Sequence, residues 1–245
     1  MSMDYTNQYR QEFKKLEKLL HIASGKTGDT THFPTLLHLA SRQYPLLQHR
    51  EFEHLALDLN GLRNVLEHSD RDKYIAEIKP VALEHLQKLI TLLKTPPKVG
   101  SALKKKKDGV YCAFRDYTVT GVVKTMQSRT YTHVPVYESE TNYKFLGVFS
   151  EASIFNWYAD FPSASPPPSL AENSFRKYLH NKTDHFEFIA SQKSILDVIA
   201  LFDNYLQNGK RLGAIFITKR GNNNEKPLNI ITAWDIPEIK QFLSL

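Results

Sequence analysis

The spacing of apolar residues changes character near residue 100. Before that point it is helical. Phe13, Leu16, Leu19 and Leu20 recur three and four apart between Tyr5 and Ile22, which predicts an amphipathic helix. Ser24-Gly-Lys-Thr-Gly28 breaks it; a phosphate loop is not indicated, because the Walker spacing and a preceding strand are both missing. Leu36, Leu37, Leu39 and Ala40 predict a short second helix after Pro34. A longer one begins near Arg50 with Phe52, Leu55, Leu59, Leu62, Val65 and Leu66, and Ser69–Asp72 ends it. A last helix starts near Pro80, carries Ala82, Leu86, Leu89, Ile90 and Leu93, and stops at Thr95-Pro-Pro97.

Beyond Lys107 short β-rich runs alternate with helical ones. Strands are predicted at His133–Tyr137, Phe145–Ser150, Leu212–Thr218 and Leu228–Thr232. Helices are predicted at Val119–Ser128, Glu151–Asp160, Ile195–Gln207 and Ala233–Phe242. This half also repeats itself. Thr118-Val119 through Met126 matches Ser194-Ile195 through Phe202, Val134–Tyr137 matches Ala214–Ile217, and Leu146–Ser150 matches Leu228–Thr232. The offset grows in chain order, as loop insertions require, and repeats of this size pack as a pseudo-symmetric pair. The expected fold is therefore α plus α/β. A helical bundle occupies 1–98 and a linker 99–108. Repeat one occupies 109–161, a Pro-rich connector 162–183, and repeat two 184–245.

Charge sharpens this division. The formal charge is +6, but residues 1–98 hold 14 Lys and Arg against 12 Asp and Glu. Outside Lys104–Lys107, residues 99–245 are balanced at 14 of each. The excess thus sits in a basic linker rather than on a broad nucleic-acid face; four lysines there read either as a solvated hinge or as a phosphate contact. The 41% hydrophobic content is ample for two cores. One cysteine, Cys112, excludes a disulfide framework, and it reads as a small buried hydrophobe. No apolar run nears the ~20 residues of a membrane span. The polar start is unlike a secretory signal, so a cytoplasmic location with no membrane partner is expected. The histidines form no metal-ligand spacing, and no metal is expected.

The order helix, strand, strand, Gly-hydrophobic-x-Ser/Thr, helix over 109–242 resembles a tandem CBS (cystathionine β-synthase) domain pair of β-α-β-β-α repeats. The resemblance implies that an adenosyl nucleotide of the AMP, ADP or ATP kind binds between the repeats as a regulatory ligand. Its phosphate and ribose motif is Gly-hydrophobic-x-Thr/Ser-x-x-Asp. Asn229-Ile-Ile-Thr232-Ala-Trp-Asp235 keeps Thr232 and Asp235 but lacks the Gly; Gly147-Val-Phe-Ser150-Glu-Ala-Ser153 keeps Gly147 and Ser150 but has Ser153 for Asp. One ribose site is therefore expected rather than two. By the same analogy, backbone at Gly213 and Ala214 would line an adenine pocket and Arg211 would pair with phosphate. The plainer reading makes Ser150 and Thr232 N-caps, Asp235 a partner of the helix dipole, and Arg211 an exposed turn residue.

In the helical half, Arg63-Asn64-Val-Leu-Glu67-His68 resembles the Arg-x(4–6)-His motif of HEPN domains. These are small helical domains, often dimeric, and many are metal-independent ribonucleases. The resemblance implies a homodimer acting on RNA, with DNA not expected. His68 would be general acid or base, Arg63 would stabilise the phosphorane, and Asn64 would orient the phosphate or the imidazole. Arg63 and His68 lie about 140° apart around a helix, so either two protomers build the site or the helix frays near His68, where Ser69-Asp70 follows. The plainer reading pairs Arg63 with Glu67 on the helix surface and sets His68 against the helix dipole. The functional expectation is a nucleotide sensor that controls a HEPN-like domain, itself a candidate ribonuclease. The alternative is a dimerising adaptor with an inactive helical domain and empty CBS clefts.

Overall fold

The computed structural model describes residues 5–26, 31–67, 77–103, 109–161, 170, 176–179 and 184–243. His68, the helix stop at 69–72, Thr27–Thr30, Lys104–Lys107 and most of the Pro-rich connector lie outside them. The chain divides into two compact units, residues 1–96 with 243–245, and residues 97–242.

The first unit is built from α1 (Tyr5–Ser24), α2 (Phe33–Ala40), a 3-10 turn (Pro45–Gln48), α3 (Arg50–Glu67) and α4 (Pro80–Lys94). Pro34 and Pro80 sit in first turns, where no backbone donor is lost. Along α1 the buried stripe is Tyr9, Phe13, Leu16 and Leu20, while Leu19 is only half-buried. Tyr9 is the residue the sequence reading missed. Its ring is fully buried, and its hydroxyl donates to the Leu59 carbonyl at 2.7 Å, tying α1 to α3. On α3 the core takes Phe52, Ala56, Leu59 and Leu66, but Leu62 and Val65 stand exposed. The expected apolar face is wider than the face that packs.

The second unit contains two copies of one topology. Repeat one runs β1 (Ala113–Phe114), α6 (Val119–Arg129), β2 (His133–Tyr137), β3 (Phe145–Ser150) and α7 (Glu151–Asp160). Repeat two runs β4 (His185–Ala190), α8 (Ile195–Gln207), β5 (Leu212–Thr218), β6 (Asn229–Ile231), a 3-10 turn (Ala233–Asp235) and α9 (Ile236–Gln241). In each sheet the first two strands are parallel and the last two antiparallel. A parallel pair needs a crossover, which α6 and α8 supply. Their starts are fixed by side-chain caps: Thr118 accepts from the Gly121 amide, and Ser194 and Asp197 form a reciprocal capping box.

Alternation along the strands sorts the core into layers. Val134 and Val136 of β2 face the helices with Val119, Val122 and Trp157. Ala214 and Phe216 of β5 turn the other way and meet Val148 of β3, with Phe145, Phe186 and Phe188 packed around them. The two sheets thus meet through an aromatic layer, in which Phe145 and Phe188 lie 5.1 Å apart edge to face.

Two short segments complete this unit, and they do so crosswise. The segment before repeat one forms α5 (Val99–Ala102). It docks on repeat two through hydrogen bonds from Val99 to Lys193, Gly100 to Ser191 and Ile195 to Pro97. Residues 99–102 are therefore not a linker, because Val99 is fully buried against repeat two. The segment before repeat two packs on repeat one instead, where Leu170, Tyr178 and Leu179 join its core. Gly147 sits at that contact with φ of 145°, and a Cβ there would lie 2.6 Å from Leu179 Cβ and 2.8 Å from its carbonyl. Gly147→Ala should cost about 1–3 kcal/mol through strain and overpacking. Denaturant unfolding read at Trp157 would measure it, and an unchanged midpoint would show that the segment yields.

Candidate functional site

The third strand of each repeat runs straight into a helical turn, and the chemistry sits at that junction. In repeat two the Thr232 amide and hydroxyl both donate to Asp235 Oδ2, at 2.7 and 2.9 Å. In repeat one the Ser150 amide donates to Ser153 Oγ at 3.0 Å. Ser153 therefore takes the structural place of Asp235 without its charge. The missing motif glycine in repeat two also has a local counterpart. Asn229 turns its side-chain oxygen back onto the Ile230 amide, and beside it α5 leaves a cavity of about 590 Å³ rather than a close contact.

Thr232 and Asp235 open onto a cavity of about 260 Å³ between the repeats. Repeat two contributes Ile230, Thr232, Trp234 and Asp235 to its wall. Repeat one contributes Val110 and Tyr111 from the stretch before β1, and Thr130–Thr132 with His133 at the start of β2. The rings of Tyr111 and Tyr131 stack with centroids 6.1 Å apart, and Trp234 is 85% exposed. The wall is thus aromatic, with one carboxylate and a small set of hydroxyls. This suits a flat base carried on a diol.

The other residues expected at the nucleotide site, Ser150, Arg211, Gly213 and Ala214, do not line this cavity. His133 Nε2 lies 2.8 Å from Asp184 Oδ2, with both side chains about 95% buried. Arg211 Nε lies 3.7 Å from the other carboxylate oxygen. Burial works to raise the Asp184 carboxyl, but the hydrogen bond and charge of His133 outweigh it. With Arg211 and Ser150 adding to them, they hold the group below its ordinary value. Gly213 faces this pair so closely that a Cβ would collide with both Asp184 Oδ1 and His133 Nε2. Ser150, Arg211 and Gly213 are therefore gathered around a buried carboxylate, and Ala214 is fully buried in the layer between the sheets. The sequence reading missed His133 and Asp184, which are 51 residues apart with no local pattern between them.

Cys112 is buried, and burial pushes its thiol up to about 12. In the helical unit, Arg63 Nη1 donates to Asn64 Oδ1 at 3.2 Å, and Nη2 lies 3.8 Å from Glu17 on α1. Glu67 is paired with Arg10 instead, and Arg10 also caps α3 by donating to the Leu66 carbonyl at 2.7 Å. The predicted Arg63–Glu67 surface pair is thus replaced by two interhelical ones. Among the described residues no helix is long and apolar enough to cross a membrane.

No family model matches the chain, and no curated protein matches it. Solved structures similar to it include CBS-domain proteins. One is the CBS-domain containing protein ATU1752 from Agrobacterium tumefaciens, at 14% identity over 58% of this chain and 98% of that one, with a TM-score of 0.42. Another is CBSX2 in complex with AMP, at 11% identity over 60% and 98%, with a TM-score of 0.43. A third is the CBS domain pair of protein MJ0100 in complex with 5′-methylthioadenosine and S-adenosyl-L-methionine, at 11% identity over 61% and 99%, with a TM-score of 0.42.

Proposed function

We propose that the α/β unit is a CBS-type sensor that binds an adenosyl ligand in the cavity beside Thr232 and Asp235. The observation that carries this is the position of the motif. Its hydroxyl and carboxylate sit on repeat two, and the aromatic wall opposite them comes from repeat one. A ligand there touches both repeats, so its binding energy favours one arrangement of the pair over others. The chain offers a route outward, because α5 follows the helical unit directly and is hydrogen-bonded to repeat two. Control of that HEPN-like helical unit is the finer part of the proposal.

The test is thermal unfolding of the full chain with adenosine, AMP, ATP, 5′-methylthioadenosine and S-adenosylmethionine. Saturation with a binding member should raise the melting temperature. At a hundred times its Kd it adds about 2.7 kcal/mol. An unmoved transition with the whole panel would leave the adaptor reading in its place.

A further inference from the structure

The cavity has a charge pattern that a phosphate would not choose. Ten described residues line it, and none is Lys or Arg. Asp235 is the one carboxylate among them, and the imidazole of His133 is committed to buried Asp184. Binding a phosphorylated nucleotide there would set its anion beside a carboxylate with no lining cation to offset it. The motif hydroxyl, which could donate to a phosphate, is turned to that carboxylate instead. The Thr232 amide and hydroxyl are both spent on Asp235, and the turn that follows is a 3-10 turn leading into the six-residue α9. What the wall does offer is aromatic: Tyr111, Tyr131 and the exposed Trp234. Such a surface accepts a purine face, and it also attracts a cation that carries little hydration.

Building on the proposed sensor function, we infer that this cavity takes a phosphate-free adenosyl ligand, neutral or cationic at its 5′ end, such as a 5′-thioadenosine or its sulfonium. Asp235 Oδ2 is occupied by Thr232, and Oδ1 is the oxygen left to accept from the ribose hydroxyls. The 5′ substituent then lies along aromatic rings, where a thioether is tolerated and a sulfonium gains a cation–π contact. The rival sources of cations are Arg211, an exposed side chain beside the Asp184 that His133 contacts, and the Lys104–Lys107 run, which precedes Val110 in the chain.

Isothermal titration of the full chain with adenosine, 5′-methylthioadenosine, S-adenosylmethionine, AMP and ATP decides between them. The phosphate-free ligands should bind at least about tenfold more tightly than AMP or ATP, a gap of about 1.4 kcal/mol. Trp234→Lys puts a cation in the wall at a position too exposed to threaten folding, and it should narrow or invert that gap. Equal or tighter binding of AMP or ATP to the unsubstituted chain would overturn the inference and assign the phosphate contact to Arg211 or the lysine run, with the sensor reading intact. A preference that Trp234→Lys leaves unmoved would also overturn it, because the selection would then lie outside this wall. Failure of the whole panel to bind would remove the sensor reading and this inference together.

Discussion

Gly213→Ala should be the most destabilising single-methyl substitution in the α/β unit. The new methyl would be driven into Asp184 and His133, both buried and paired at 2.8 Å. Parting a buried pair strands a carboxylate without its partner, which costs about 3–5 kcal/mol. His133→Ala and Asp184→Ala should each fall in the same range, and the double substitution should cost far less than their sum. Denaturant unfolding of the four proteins measures the coupling. A loss below about 1 kcal/mol for Asp184→Ala would mean that the carboxylate is hydrated in solution. The acid limb supplies an independent check. Because the folded Asp184 titrates below its ordinary value of 3.8, its contribution is fully present above that value. It is lost as the pH falls from there through the lower folded value. The stability gap between the wild type and Asp184→Asn should therefore narrow as the pH falls below about 4.

Asp235→Ala should abolish the ligand-induced rise in melting temperature. It removes the carboxylate that faces the cavity and, with it, the capping partner of Thr232. The cap accounts for about 1 kcal/mol of basal stability. The ligand term, about 2.7 kcal/mol at a hundredfold excess over Kd, is lost in addition. Ser153→Ala separates the two effects. It deletes the equivalent cap in repeat one and leaves the cavity beside Thr232 untouched. Its melting temperature should fall while its ligand shift persists. Equal shifts in all three proteins would place the ligand elsewhere.

The strands legible from sequence were those buried along nearly their whole length. β2, β3 and β5 fall where their apolar runs begin and end, while α7 and α8 are bounded by their capping residues Ser150 and Ser194 and a one-sided apolar stripe. The two first strands were missed for opposite reasons. β1 is two residues long, and β4 reads His-Phe-Glu-Phe with most positions half-buried, so neither gives an unbroken apolar signal. α5 was hidden by the lysine run that follows it. The site was half legible. Thr232 and Asp235 were visible as a motif, whereas Tyr111, Tyr131 and His133 enter only through folding, from a repeat about 100 residues earlier. One clue to the His133–Asp184 pair was in the sequence. A glycine inside the apolar run 212–218 marks a place where something must come close to the backbone.

The crosswise placement of α5 and of Leu170, Tyr178 and Leu179 bears on how this half of the molecule could be taken apart. Neither repeat owns all of its own core, since each borrows a piece from the stretch of chain ahead of the other. A single repeat cut out at its sequence boundaries would expose the surface its borrowed piece covers. A break in the connector, by contrast, would leave two fragments that still interlock, each carrying the part the other lacks. The smallest autonomous body here is the pair, and its two halves are tied together by topology as well as by packing.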